Sequence, residues 1–158
     1  MSIEKVIEYM KTRNRENDIL EFNVSSATVP LAAAALHTQE ARIAKSIALD
    51  VKGECVVVVV AGDAKLDNHK YKDFFHTKAK MLSVEQTADL TGHAVGGVCP
   101  FALNDGVKVY LDVSMKRFNT VFPACGSSNS AIELSCAELE NLSQNFMEWV
   151  DVCKDWQE

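Results

Sequence analysis

The chain has 158 residues, 47% of them hydrophobic and 24% charged, with a formal net charge of −6 at neutral pH. That length suits one domain over residues 1–158, and the acidic balance argues against broad, non-specific binding of nucleic acid. No apolar run approaches the roughly 20 residues that span a bilayer, and the opening "MSIEKVIEYM" has acids where a signal peptide needs positive charge, so a cytoplasmic protein without membrane contact is expected.

In chain order, Ile3, Val6, Ile7 and Met10 recur at helical spacing behind Ser2, an N-cap candidate, and predict a helix to about Arg13. "ILEFNV" alternates as a strand does. Thr28 then introduces "VPLAAAALHT", a short helix with Pro30 in its first turn, and Thr38 is placed to cap the turn "QEARI". In "IAKSIALDV" one parity reads Ile43, Lys45, Ile47, Leu49, Val51, which puts Lys45 on the apolar face of a strand. "KGE" turns that strand into "CVVVVVAGD", whose run of valines predicts burial on both faces. A short helix "NHKYKDFF", a strand around "AKML" and a helix "VEQTADL" follow, the last with a Ser83–Gln86 capping box and Gly92 at its end. "VKVYLDV" and "TVFPAC" read as strands, and "GSSNSAIEL" runs from a loop into another. Ser135 and Glu138 form a second capping box. Leu139, Leu142, Phe146, Trp149, Val150 and Cys153 then trace the stripe of a C-terminal amphipathic helix. The sum is an α+β fold: a mixed, strongly twisted, barrel-like sheet of about six to seven strands flanked by short helices.

Three places can carry chemistry. Lys45 on an apolar face either packs its stem and reaches water with its ammonium, or waits for an anionic or ester-bearing ligand. The loop "GHAVGGVCP" at 92–100 pairs Gly96 with Gly97, so backbone N–H groups can approach a ligand, and Pro100 stiffens the exit. "GSSNS" at Gly126–Ser130 offers hydroxyls, an amide and backbone donors. A thiol hydrolase on Cys99 and His93 is the rival idea, with no orienting acid at a recognisable offset. The five cysteines show no finger spacing, so neither a disulfide framework nor a metal site is expected, and no cofactor. Between 65 and 80 lie five lysines; from 131 onward there are seven acids and the single base Lys154. If RNA binds, Lys65, Lys70 and Lys72 are its expected contacts, although they also read as ordinary surface lysines.

Taken together, "AKS", "GHAVGGVCPFAL" and "VFPACGSSNSAIELSCAEL" resemble the YbaK/EbsC family, related to the editing insertion of bacterial prolyl-tRNA synthetases. The resemblance implies a trans-editing hydrolase that cleaves the ester of a mischarged tRNA carrying a small amino acid, by substrate-assisted water attack. Its implied partners are the 3′ acceptor end of that tRNA and prolyl-tRNA synthetase or another component of translation. Lys45 matches the lysine central to activity. Gly96, Gly97, Val98 and Pro100 match the loop lining the aminoacyl pocket, with the glycine amides expected to hold the carbonyl. Gly126, Ser127 and Asn129 match the second loop. Asp112 matches an acid that is either structural or part of the site. Departures at Cys99, Leu103 and Asn129, where relatives carry proline or histidine, are expected to touch the pocket, and they support the alternative of a non-catalytic aminoacyl or RNA binder.

Overall fold

A computed structural model describes residues 2–156. Helix α1 (Ser2–Lys11) buries Val6 and Met10 completely, as the spacing predicts; the Ser2 side chain lies outside the described ones. Strand β1 (Leu20–Glu21) is followed by α2 (Val29–Leu36), where Thr28 Oγ1 accepts the Leu31 N–H at 3.4 Å. The turn at Glu40–Arg42 has no side-chain cap, so Thr38 does not take that role.

β2 (Ile43–Val51) and β3 (Glu54–Ala61) form the central hairpin. Lys52 and Gly53 both take positive φ at its tip, which suits the twist of the two strands, and Asp50 Oδ1 accepts the Gly53 N–H at 2.8 Å. Val56 to Val60 are all buried, so this strand is covered on both faces. After β4 (Lys65–Leu66) come α3 (Asn68–Phe75) and α4 (Val84–Thr91), with β5 (Lys108–Asp112), β6 (Thr120–Pro123), β7 (Ser130–Ala131), β8 (Leu134–Ser135) and α5 (Cys136–Leu142) beyond them. Both capping boxes are present, at Ser83–Gln86 and Ser135–Glu138.

The principal sheet has six strands in the order β8-β6-β2-β3-β5-β9, where β9 is Phe146–Val150. It mixes parallel and antiparallel pairs and curls into a half-barrel. Two short ribbons, β1–β7 and β4–β10 (Cys153–Lys154), close its flanks.

Two expected elements differ. The stretch around "AKML" makes a single bridge, Leu49 to Met81, because it only skirts the end of β2. The C-terminal helix stops at Leu142. Ser143 is already extended and Asn145 is left-handed; Asn145 donates its side-chain N–H to Val107 O at 3.0 Å and accepts the Val109 N–H at 3.2 Å. That pair of bonds draws the β-favouring run Phe146–Val150 into the sheet beside β5. A stripe spaced three or four apart is also met where a helix hands over to a strand, and the periodicity does not separate the two cases.

Candidate functional site

A cavity of about 770 Å³ opens between α2, β2, the start of α4 and the loop at 95–98. Its wall is largely apolar and mixes small residues, such as Ala32, Ala44, Ala48, Ala124 and Ala131, with larger ones, such as Ile43, Ile47, Met81, Leu82 and Phe122. Lys45 projects from the first third of β2, opposite Val60, and is half-buried in that wall. It makes no ion pair or side-chain hydrogen bond among the described residues. Lys65 also lines the cavity, and among the described residues no acid does. An ammonium in an apolar wall without a counter-charge is costly unless a ligand supplies one. Beside Lys45, Ser46 also lines the cavity, and its Oγ is buried without a hydrogen-bond partner.

The two glycine loops meet. A Cβ on Gly97 would lie 2.7 Å from the Gly126 carbonyl carbon and 2.8 Å from Ser127 N, so the loops pack backbone against backbone. The Gly97 N–H donates to Ala94 O at 3.0 Å and so is already engaged. Gly96, at φ +95, lines the cavity with Val98, and a Cβ there would press on Ala27 at 3.2 Å. Pro100 is buried behind them, its carbonyl accepting the Gln144 N–H at 2.8 Å.

The second loop contributes Ser130 to the wall and otherwise supports it from behind. Ser127 Oγ lies 2.9 Å from Asn129 Oδ1 and 2.7 Å from Ser130 Oγ. Asn129 donates its side-chain N–H to Phe22 O at 3.0 Å, and its own carbonyl accepts the Phe22 N–H at 2.8 Å. With the Ser26 N–H bonded to Ser128 O at 2.6 Å, this network holds residues 26–28 against the cavity.

The departures expected to touch the pocket lie elsewhere: Cys99 and Leu103 are buried in the main core, Asn129 is in the tether, and none of the three lines the cavity. Cys99 and His93 do approach, with Sγ 3.6 Å from Nε2. Both are fully buried. Burial pushes the Cys99 thiol up to about 12 and holds His93 below its usual range. His93 Nε2 is 2.7 Å from Phe101 O, which fixes it as the protonated nitrogen. A buried neutral thiol beside a buried neutral imidazole is not an activated nucleophile.

Asp112 is fully buried and structural in position: Oδ2 accepts the Ser114 N–H and Oδ1 the Val152 N–H, each at 2.9 Å. Lys70 is tied to Asp151 and to Cys153 O, both at 3.0 Å, whereas Lys72 is exposed. Among the described residues no three metal-ligating side chains gather, and no helix is long and apolar enough to cross a membrane.

Comparison with known proteins adds three relatives and a family. The chain is 52% identical over 158 residues to the uncharacterized protein YwhH of Bacillus subtilis (strain 168), a match covering 99% of this chain and 100% of that one. A stretch of 90 residues, 56% of the chain, is 33% identical to part of the proline–tRNA ligase of Lysinibacillus sphaericus (strain C3-41) and spans 16% of that enzyme. The crystal structure of a candidate trans-editing enzyme for prolyl tRNA synthetase superposes with a TM-score of 0.86 at 25% identity, over 97% of each chain. The model of the aminoacyl-tRNA editing domain matches residues 24–142, which take in β2, both glycine loops and the whole cavity wall, and the chain belongs to that family.

Proposed function

We propose that this protein is a free-standing deacylase, acting in the cytoplasm, that hydrolyses the ester of a tRNA mischarged with a small amino acid. The observation that carries the reading is Lys45, an unpaired ammonium in a largely apolar cavity that has several alanines in its wall and no acids among the described residues. Small side chains leave room for the aminoacyl group together with part of the ribose, and they discriminate by size, where synthetic sites are weakest. Water attacks the ester carbonyl carbon, the bond to the ribose oxygen breaks, and that oxygen leaves with a proton. Lys45 supports this step by attracting the ester or a neighbouring anionic oxygen, and the Gly96 loop positions the acyl group. No protein nucleophile is invoked, which suits a wall that holds neither Cys nor His among the described residues.

That same wall favours a second reading, an aminoacyl-ester binder without turnover, because it holds no general base among the described residues. The two separate in a panel of tRNAs charged with alanine, serine, threonine, cysteine and proline. Selective release of one small amino acid, lost by about 10²-fold or more in Lys45→Ala at unchanged thermal stability, is the expected result. Binding of charged tRNA with no release from any member establishes the binder instead.

A further inference from the structure

β4 and β10 form a two-residue ribbon at the cavity edge, with Lys65 directly opposite Lys154 and Leu66 opposite Cys153. Residues directly opposite in an antiparallel pair put their side chains on one face, about 5 Å apart at Cβ. The inner face is Leu66 and the fully buried Cys153; the outer face is therefore two ammonium groups side by side. Like charges in that arrangement repel and destabilise a ribbon. Neither lysine has an ion pair among the described residues. Lys154 does feel the Asp67 carboxylate, but Asp67 Oδ1 is already accepting the N–H groups of His69 and Lys70, at 2.9 and 3.0 Å, as the cap of α3. Asp151 is taken by Lys70.

The ribbon is held rigidly in spite of this repulsion. The Asp67 N–H bonds Val152 O at 2.8 Å, the Val152 N–H bonds buried Asp112, Lys70 bonds Cys153 O, and the Trp156 indole N–H bonds the same carbonyl at 3.3 Å. Lys65 belongs to the cavity wall, and the charge of Lys45 is felt at the Cys153 thiol on the ribbon's inner face. Two cations carried on a held backbone, one of them in the cavity wall, offer a place for an anion beside the ligand.

The geometry points to an anion clamp, formed by Lys65 and Lys154 across the β4–β10 ribbon, that holds a backbone phosphate of a single-stranded 3′ end whose terminal residue enters the cavity. This deepens the deacylase reading and rests on it for the identity of the strand. It also replaces Lys70, which is occupied, with Lys154, which lies in the acidic part of the chain, as the partner of Lys65 in RNA contact.

The test uses the full-length protein and two fluorescent probes: a CpCpA trinucleotide, and adenosine, which lacks phosphate. Lys65→Gln with Lys154→Gln should weaken CpCpA binding about tenfold and reduce the salt slope by about 0.7 for each phosphate that is no longer neutralised, leaving adenosine binding unchanged. Lys52→Gln, which removes an exposed lysine at the tip of the β2–β3 hairpin and outside the cavity, should change neither. With charged tRNA as substrate, the double variant should raise KM and keep kcat within about twofold. The clamp is overturned if the double variant binds CpCpA as the wild type does, if Lys52→Gln is equally damaging, or if the wild type does not bind CpCpA at all. A wild type that binds CpCpA through the two lysines yet releases no amino acid in the panel keeps the clamp and removes the deacylase reading.

Discussion

Gly97 shows how one residue joins the two halves of the site. Its amide is engaged with Ala94, so it acts through the hydrogen it carries in place of a side chain. The Cβ of an alanine there would stand 2.7–2.8 Å from three backbone atoms of Gly126 and Ser127, none of which can move without carrying the second loop along. Gly106 is the useful contrast: its φ is +89, but nothing lies within 4 Å of an added Cβ. Gly97→Ala should therefore cost about 2 kcal/mol of stability through forced separation of the loops, against about 1 kcal/mol for the purely conformational cost in Gly106→Ala. Deacylation should fall in the first variant and not in the second. Urea midpoints and the charged-tRNA assay measure both; equal activity loss in the two variants would mean that loop apposition is irrelevant to the site.

At the scale of elements, the cationic ribbon depends on a carboxylate that lies outside the cavity. Asp112 ends β5, caps the following turn through Ser114 and reaches across to Val152, while Ser114 Oγ accepts the N–H of Ala61 at the end of β3 at 3.1 Å. Two strands of the principal sheet and the β4–β10 ribbon are thus fixed at one buried point. An asparagine keeps one acceptor and turns an amide N–H toward a backbone N–H, which leaves a buried donor unpaired. Asp112→Asn should destabilise by about 1–3 kcal/mol in a urea titration. Hydrogen exchange should rise first at Val152 and Ser114, because these are the amides that Asp112 holds. Unchanged exchange there, with stability within about 0.5 kcal/mol of wild type, would show that the ribbon is held by its backbone pairing and not by Asp112.

Taken as a whole, the molecule was legible wherever one physical signal had one structural meaning. The Ser83 and Ser135 boxes and the valine strand were readable because capping chemistry and a run of β-branched residues are local signals. The end of the chain was not, since the stripe from Leu139 to Cys153 is consistent with a helix until Asn145 is seen pairing with Val107 across the fold. Nor was the Lys65–Lys154 pairing, which joins distant parts of the chain, or the placement of Cys99 and Leu103 in the core and not in the pocket. The same burial of polar groups sets the pH range over which the fold persists. His93 is held below its ordinary 6.5 chiefly by burial, so below about pH 6.5 the unfolded chain takes up a proton that the folded one refuses, and stability falls as pH drops through that window. The thiols act at the other end. Cys99 is pushed from 9.0 to about 12, and Cys125 and Cys153 are raised as well, each chiefly by burial, so above pH 9 the unfolded chain loses protons that the folded one keeps. Each such group contributes a slope of about 1.4 kcal/mol per pH unit within its window. Urea midpoints measured from about pH 4 to 11 should give a plateau between about 6.5 and 9, with both limbs falling. His93→Gln should flatten the acid limb near pH 6, where Asp67 and Glu138, whose carboxyls are held low by hydrogen bonds, are still ionised in both states. Cys99→Ala should shallow the alkaline limb alone. If the acid limb is unchanged in His93→Gln, that imidazole is already protonated in the folded protein, and its Nδ1 has a partner that the buried geometry does not provide.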